Sequence, residues 1–255
     1  MLDLLKEPVL AVQEFFLLAG RAIGNVFRSP HYHDDIALQM DTIGVGSLLI
    51  AALTGFFSGA VMALQMARAL SSYGQMGKTG TLVSIVLVRE LGPVLTAIMV
   101  AGRNSSGMAS ELGSMKVTEQ IDAMRALGTD PIQKLVTPRL IATAVMLPLL
   151  TIIADFVGVF GGWVISYVFL HLDSRLYWST SWRALEWNDV AQGGLIKPLV
   201  FAVVVSLIGC FYGLRTTGGT QGVGRSTTQA MVAATIMIFI TDAMITEFFV
   251  SQGAG

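Results

Sequence analysis

Cysteine, histidine and charge are what this chain has least of. Its one cysteine, Cys210, stands inside an apolar run, so no internal disulfide can form and no dithiol redox site exists. Only 13% of the 255 residues are charged, and the formal net charge is −1. Such a chain offers no field for a polyanion, which excludes nucleic acid as a partner. The three histidines are scattered, and no Ser/His/Asp or Cys/His constellation accompanies them, so the chain is not expected to be an enzyme. His31, His33, Asp34 and Asp35 share a polar connector, but nothing elsewhere answers them at ligand spacing, and no metal is expected. The start, Met1-Leu-Asp3-Leu-Leu-Lys6-Glu7, is interrupted by acidic residues and does not read as a secretory signal.

Apolar length is what the chain has in excess. Hydrophobic residues make up 53% of it and its mean hydropathy is +0.67, the composition of a polytopic membrane protein. Five runs are long enough to cross a bilayer core, which needs about 20 helical residues: 42–67, 78–103, 140–172, 198–214 and 226–250. The third, at 33 residues, would reach about 50 Å as one helix, so it tilts, bends at Pro148 or projects beyond the bilayer. Ahead of them, Glu7, Glu14, Arg21 and Arg28 fall seven apart and form one slowly drifting stripe on a greasy helix. That pattern describes a helix lying in the headgroup plane. The expected fold is all-α: residues 1–35 form an interfacial amphipathic helix and connector, and 36–255 a five-helix transmembrane domain. Gly55 and Gly59, and again Gly158, Gly161 and Gly162, offer faces that another helix can approach closely. Residues 173–197 read as a polar hairpin whose Tyr177, Trp178, Trp182 and Trp187 settle at the membrane boundary. With the N-terminus inside, the inner loops carry ten Lys/Arg and the outer loops five, Lys197 among the latter. That bias places the N-terminus in the cytoplasm and the C-terminus on the opposite side.

One long polar stretch, 103–139, separates the second span from the third. Met108, Leu112, Met115, Met124 and Leu127 give it a greasy side. Gly128 is a helix stop, Asp130-Pro131 an N-cap with proline at the first helical position, and Thr137-Pro138 repeats that signal. A capped helix at about 108–128 carrying charge and an apolar stripe suits a partner protein or the bilayer surface.

Arg89-Glu90 breaks the rule that spans are uncharged, with ten uncharged residues before it and twelve after. Charges at that depth face a cavity or a protein interior. Gly92-Pro93 follows, and a proline there removes a backbone donor and kinks the helix. The pair is either a staple between helices or a functional site.

Gly219-Thr-Gln-Gly-Val-Gly224-Arg225-Ser226 nearly matches a phosphate-binding P-loop, with Arg225 in the place of lysine. That loop requires a strand before it, where this chain has a membrane span, so nucleotide binding is refused and the match is read as a glycine-rich loop. If ATP is used, another polypeptide hydrolyses it.

The motifs Arg89-Glu90-Leu-Gly92-Pro93-Val94, Gly102-Arg103, Glu111-Leu-Gly113-Ser-Met115-Lys-Val-Thr118-Glu119-Gln120-Ile121-Asp122-Ala123, Gly128-Thr-Asp130-Pro131 and Pro138-Arg139 resemble the MlaE/YrbE-type permeases of ABC lipid transporters associated with MCE proteins. Only Asn104-Ser105-Ser106 departs from the small residues expected after Gly102-Arg103. The resemblance implies a homodimer in the bacterial inner membrane that moves phospholipid for outer-membrane lipid homeostasis. It implies a cytoplasmic ABC ATPase dimer, which holds the ATP and magnesium, and a periplasmic MCE-domain protein. It also leaves room for a small cytoplasmic STAS-type protein. It puts the ATPase-coupling residues at Glu111, Met115, Glu119, Gln120 and Asp122, and the lipid-site residues at Met62, Leu70, Tyr73, Arg89 and Glu90. Arg89 can offer phosphate a planar fork, with Met62 and Leu70 as apolar wall. The competing readings are an ion- or proton-coupled secondary transporter using Arg89, Glu90, Asp155, Asp242 and Glu247, a permease for another lipid such as a sterol, and a scaffold without transport.

Overall fold

A computed structural model describes residues 2–30 and 32–251, with side chains from residue 9 onward. His31, Lys6 and Glu7 therefore lie outside what can be said of the connector and of the polar stripe. The described residues are mostly helical, with no strand among them. In chain order the helices are α1 (Leu2–Val26), α2 (His33–Met40), α3 (Gly46–Ser71), α4 (Thr79–Val86), α5 (Gly92–Val100), α6 (Ser106–Val117) and α7 (Gln120–Ala126). After them come α8 (Thr137–Val168), α9 (Ser174–Ala184), α10 (Trp187–Ala191), α11 (Lys197–Leu214) and α12 (Gly219–Ser251).

Joined through wide turns, these make six helices long and apolar enough to cross a membrane, one more than the five expected. The extra one is Val9–Val26 in α1. Its Val9, Leu10, Phe16 and Leu17 are exposed, while Phe15 stacks edge-on against Phe211 and Glu14 lies 3.5 Å from Arg215.

Three of the wide turns follow from proline. Leu87–Leu91, Ile132–Val136 and Gln192–Ile196 are π-helical, and each ends two residues before a proline: Pro93, Pro138 and Pro198. A proline ring has no N–H and clashes with the carbonyl four residues back, so the turn ahead of it widens. The backbone N–H groups of Gly92, Thr137 and Lys197 accordingly reach five residues back, to Leu87, Ile132 and Gln192. Thr137-Pro138 is therefore a widening within a continuing helix rather than a second start. Pro148 lies inside α8, which runs unbroken through it.

The chain divides into two compact units. The first comprises Met1–Ile43, Val100–Ala144 and Ala202–Met237. In it the polar stretch proves to be a helical extension of the second span, running without a break to Val117. Gly209 and Gly213 of α11 let that extension approach closely: a Cβ on either would stand 2.9 Å from the Ser105 carbonyl oxygen or 2.7 Å from the Leu112 side chain. The departure at Asn104-Ser105 is thus a packing contact, with both residues buried. The P-loop look-alike is no loop: it forms the first turns of α12, whose opening residue Gly219 and its predecessor Gly218 both take positive φ. Its amide groups belong to a helix, and no strand precedes them among the described residues.

The second unit comprises Gly44–Met99, Val145–Phe201 and Ile238–Gly255. Here the glycine faces of α3 and α8 meet each other. A Cβ on Gly55 would stand 2.3 Å from the Ala154 carbonyl oxygen, one on Gly59 1.8 Å from that of Gly158, and one on Gly161 2.3 Å from that of Phe56. These faces pack within the chain rather than against a second copy. The segment expected as a polar hairpin folds into α9 and α10, and α9 lies along α4. Tyr177 is buried rather than interfacial and donates to the Val159 carbonyl at 3.1 Å, while Trp187 is exposed. Trp178 stacks on Trp182 and meets Trp163 at a tilt, and Trp163 donates to Ser174 Oγ at 2.8 Å.

Candidate functional site

Arg89 and Glu90 lie in the wide turn before Pro93. Adjacent helical residues point about 100° apart, and each finds a different partner. Arg89 Nε donates to Asp189 Oδ1 at 2.6 Å. Asp189 is buried, and its other oxygen accepts from the Glu186 backbone N–H at 2.9 Å, capping α10. Glu90 is met by Lys197 Nζ at 2.6 Å. Lys197, expected in an outer loop, is instead 3% exposed at the head of α11. Its Nζ also reaches Asp242 at 3.0 Å, Thr246 Oγ1 at 2.9 Å and the Arg89 carbonyl at 3.1 Å. The result is a five-charge network of two cations and three carboxylates.

The Arg89 side chain remains 36% exposed. Because Asp189 holds only Nε, the two Nη groups meet no acceptor among the described residues. A guanidinium fixed at one edge and open at the other is preset for a bidentate anion. Leu91, two residues on and about 200° around the helix, joins Met62, Phe57 and Leu95 around a separate open groove of about 400 Å³ that Arg89 does not line, whereas Arg89 itself lines a pocket with Phe249 and Val250. Leu70 is half-buried and lies about 12 Å along α3 from Met62; Tyr73, past the end of α3, is 80% exposed. Neither is brought into contact with Arg89.

Sequence reasoning missed Asp189, Lys197 and Thr246. Asp242 was named, but as a relay member rather than as the partner of Lys197. Asp155 stands outside this network, with Oδ1 buried and unpartnered against Gly92.

The other candidate residues lie in the first unit. The helix expected at about 108–128 is two helices, because Glu119 adopts a left-handed φ of 61° between α6 and α7. Gly128, at φ 79°, ends α7, and Asp130 Oδ1 accepts from Ile132 N at 2.9 Å as the cap of the next helix. Met108, Leu112 and Ile121 are buried, whereas Leu127 is 84% exposed. Glu111 is tied within the chain, 2.7 Å from the buried Arg139. Asp122 holds Lys116 at 2.8 Å and Arg125 at 3.1 Å. The hydrogen bond from Lys116 comes first in keeping its carboxyl below the usual range, and the two positive charges add to it. Met115 is half-buried, and Glu119 and Gln120 are exposed.

A family model described as permease MlaE matches residues 36–248. The chain belongs to the MlaE permease family. A probable ABC transporter permease protein of Rickettsia felis is 42% identical over 94% of this chain and 92% of its own length. Protein TRIGALACTOSYLDIACYLGLYCEROL 1, chloroplastic, of Arabidopsis thaliana is 37% identical over 94% of this chain and 68% of its own. The intermembrane phospholipid transport system permease protein MlaE of Haemophilus influenzae is 33% identical over 93% and 91%. As a member of the MlaE family with six apolar helices among its described residues, this chain is a multi-pass membrane permease of the ABC transporter type.

Proposed function

We propose that this chain is the permease subunit of an ATP-driven transporter that moves phospholipid between the bacterial inner membrane and a periplasmic MCE-type carrier. The observation that carries this reading is Arg89. Its guanidinium is held through one nitrogen by buried Asp189 and open at the others, in a pocket that Phe249 and Val250 also line. An anionic phosphate with acyl chains needs that combination of planar cation and apolar wall. The name of the H. influenzae relative supports the substrate class. ATP hydrolysis falls to a separate ABC ATPase, which docks on the exposed turn around Glu119 and Gln120. A homodimer in that membrane completes the transport path.

The test is the pair Arg89→Met with Asp189→Asn, which removes both charges and keeps the oxygen that caps α10. Neutralising only Arg89 and Glu90 would strand Asp189 and Lys197 instead. In vesicles with its ATPase, the double variant should assemble normally, capture about tenfold less photo-crosslinkable phosphatidylglycerol and lose transport. Normal transport by a well-assembled double variant would reduce Arg89 to architecture and overturn the reading.

A further inference from the structure

The polar stripe of α1 takes no part in the Arg89 site. Its members with described side chains are Glu14, Arg21 and Arg28. Glu14 is already engaged, 3.5 Å from Arg215. Neither the Arg21 nor the Arg28 guanidinium has a hydrogen-bond or ion-pair partner among the described residues. Both line an open groove of about 330 Å³ along α1, together with Phe16, Leu17 and Asn25. Gly20 and Gly24 keep it open, since a Cβ on either would meet nothing within 4 Å. The groove shares no lining residue with the Arg89 pocket.

Two tethers fix its level. Near one end, Glu14 meets Arg215 and Phe15 packs edge-on against Phe211, at the C-terminal end of α11. At the other, the Gln133 side chain donates to the Pro30 carbonyl at 3.1 Å, just ahead of α8. These two span ends stand level because both pack on α6. Arg139 of α8 is 2.7 Å from Glu111, and Thr216, just past α11, lies against Gly113. About 20 Å of α1 is thus held along the membrane boundary on the side of the polar stretch, although its length would let it cross. Its surface agrees: Phe16, Leu17 and Phe27 are exposed, and so are both arginines. A helix that shows apolar side chains and cations together belongs in the headgroup plane, with acyl chains beneath it and phosphates beside it.

The lining selects the head group. Two unpaired guanidiniums offer forks to phosphate oxygens. No Asp or Glu lines the groove, so the ammonium of a zwitterionic lipid would find no acid and would face two more cations. An anionic phospholipid brings the phosphate without that ammonium. Phe16 and Leu17 can lie along the first carbons of its chains. Basic residues beside a membrane span draw such lipids from the adjoining leaflet.

We propose that this groove of α1 binds an anionic phospholipid, whose phosphate Arg21 and Arg28 hold and whose acyl chains run past Phe16 and Leu17. The site is independent of the phospholipid reading at Arg89.

The experiment uses the full-length chain in dioleoylphosphatidylcholine nanodiscs. The probe is a phosphatidylglycerol with a diazirine near the top of one acyl chain. Crosslinks should saturate and map within residues 16–28. Unlabelled dioleoylphosphatidylglycerol should displace the probe there about tenfold more effectively than dioleoylphosphatidylethanolamine. Inorganic phosphate, the free source of the same chemistry, should not displace it. Arg21→Gln with Arg28→Gln should bind the probe about tenfold more weakly and lose the preference between the two lipids. Its melting temperature should be unchanged, since neither guanidinium holds another residue of the fold. Gly20→Leu is the independent variant: it fills the groove from an open position, keeps both charges and should cut the crosslink about tenfold. Equal displacement by the two lipids in the wild-type chain, displacement by inorganic phosphate, an unchanged preference in the double variant, or crosslinks only outside residues 16–28 would overturn the proposal.

Discussion

Lys197 Nζ donates to the carbonyl of Arg89 at 3.1 Å, the acceptor that Pro93 leaves without its α-helical donor. The same ammonium holds Glu90, Asp242 and Thr246. One side chain therefore replaces a missing backbone bond and balances two carboxylates. Lys197→Met should destabilise the chain by about 3 kcal/mol or more, since it strands both acids and the carbonyl. Lys197→Met with Glu90→Gln and Asp242→Asn should recover most of that. Thermal unfolding in detergent reads both; a single variant as stable as the wild type would refute the role.

The contact between α3 and α8 gives a second expectation. A leucine at Gly59 would put its Cβ 1.8 Å from the Gly158 carbonyl oxygen, and backbone cannot yield as a side chain can. Gly59→Leu and Gly55→Leu should therefore reduce the yield of folded protein rather than merely split an oligomer. A well-folded but dissociated Gly59→Leu protein, by native mass measurement, would place this face between subunits instead.

A third concerns Glu119. A non-glycine residue at φ 61° is strained by about 1 kcal/mol or more. Glu119→Gly should therefore fold at least as well as the wild type, while Glu119→Lys keeps the strain and reverses an exposed charge. Only the lysine variant should lose co-purifying ATPase by tenfold or more. Equal retention of ATPase by both variants would move the docking surface elsewhere.

Asp122 sets a fourth. Its carboxyl is held below the usual range, chiefly by the Lys116 hydrogen bond. A lowered folded-state pKa gives a contribution that is present above the unfolded value and lost as pH falls through the folded one. Exchange protection around 118–121, corrected for intrinsic rates, should stay level from about pH 8 to pH 5 and drop only below about pH 4. Asp122→Asn should show the unprotected level throughout; a fall near neutrality in the wild type would contradict the assignment.

Much of this was legible in the sequence, and the parts that were not share a cause. Asp130 as a cap, Gly128 as a stop and Arg89-Glu90 as an anomaly are local patterns. Lys197 was misplaced because a lysine at the edge of an aromatic-rich segment looks like a loop charge until that segment folds back over α4. The glycine faces of α3 and α8 were both visible, but their mutual contact joins residues about a hundred positions apart. The break at Glu119 carries no glycine or proline to announce it. The wide turns were legible in principle, since a proline follows three of them.

Those wide turns keep the helix in phase. Asp189, which holds Arg89, and Lys197, which holds Glu90, flank the turn Gln192–Ile196. A π turn takes up one residue more than an α turn over nearly the same rotation. Deleting one residue within it would therefore restore a regular helix with Asp189 and Lys197 still nearly in register. The damage would fall on Pro198 instead, whose ring would meet the carbonyl four residues back.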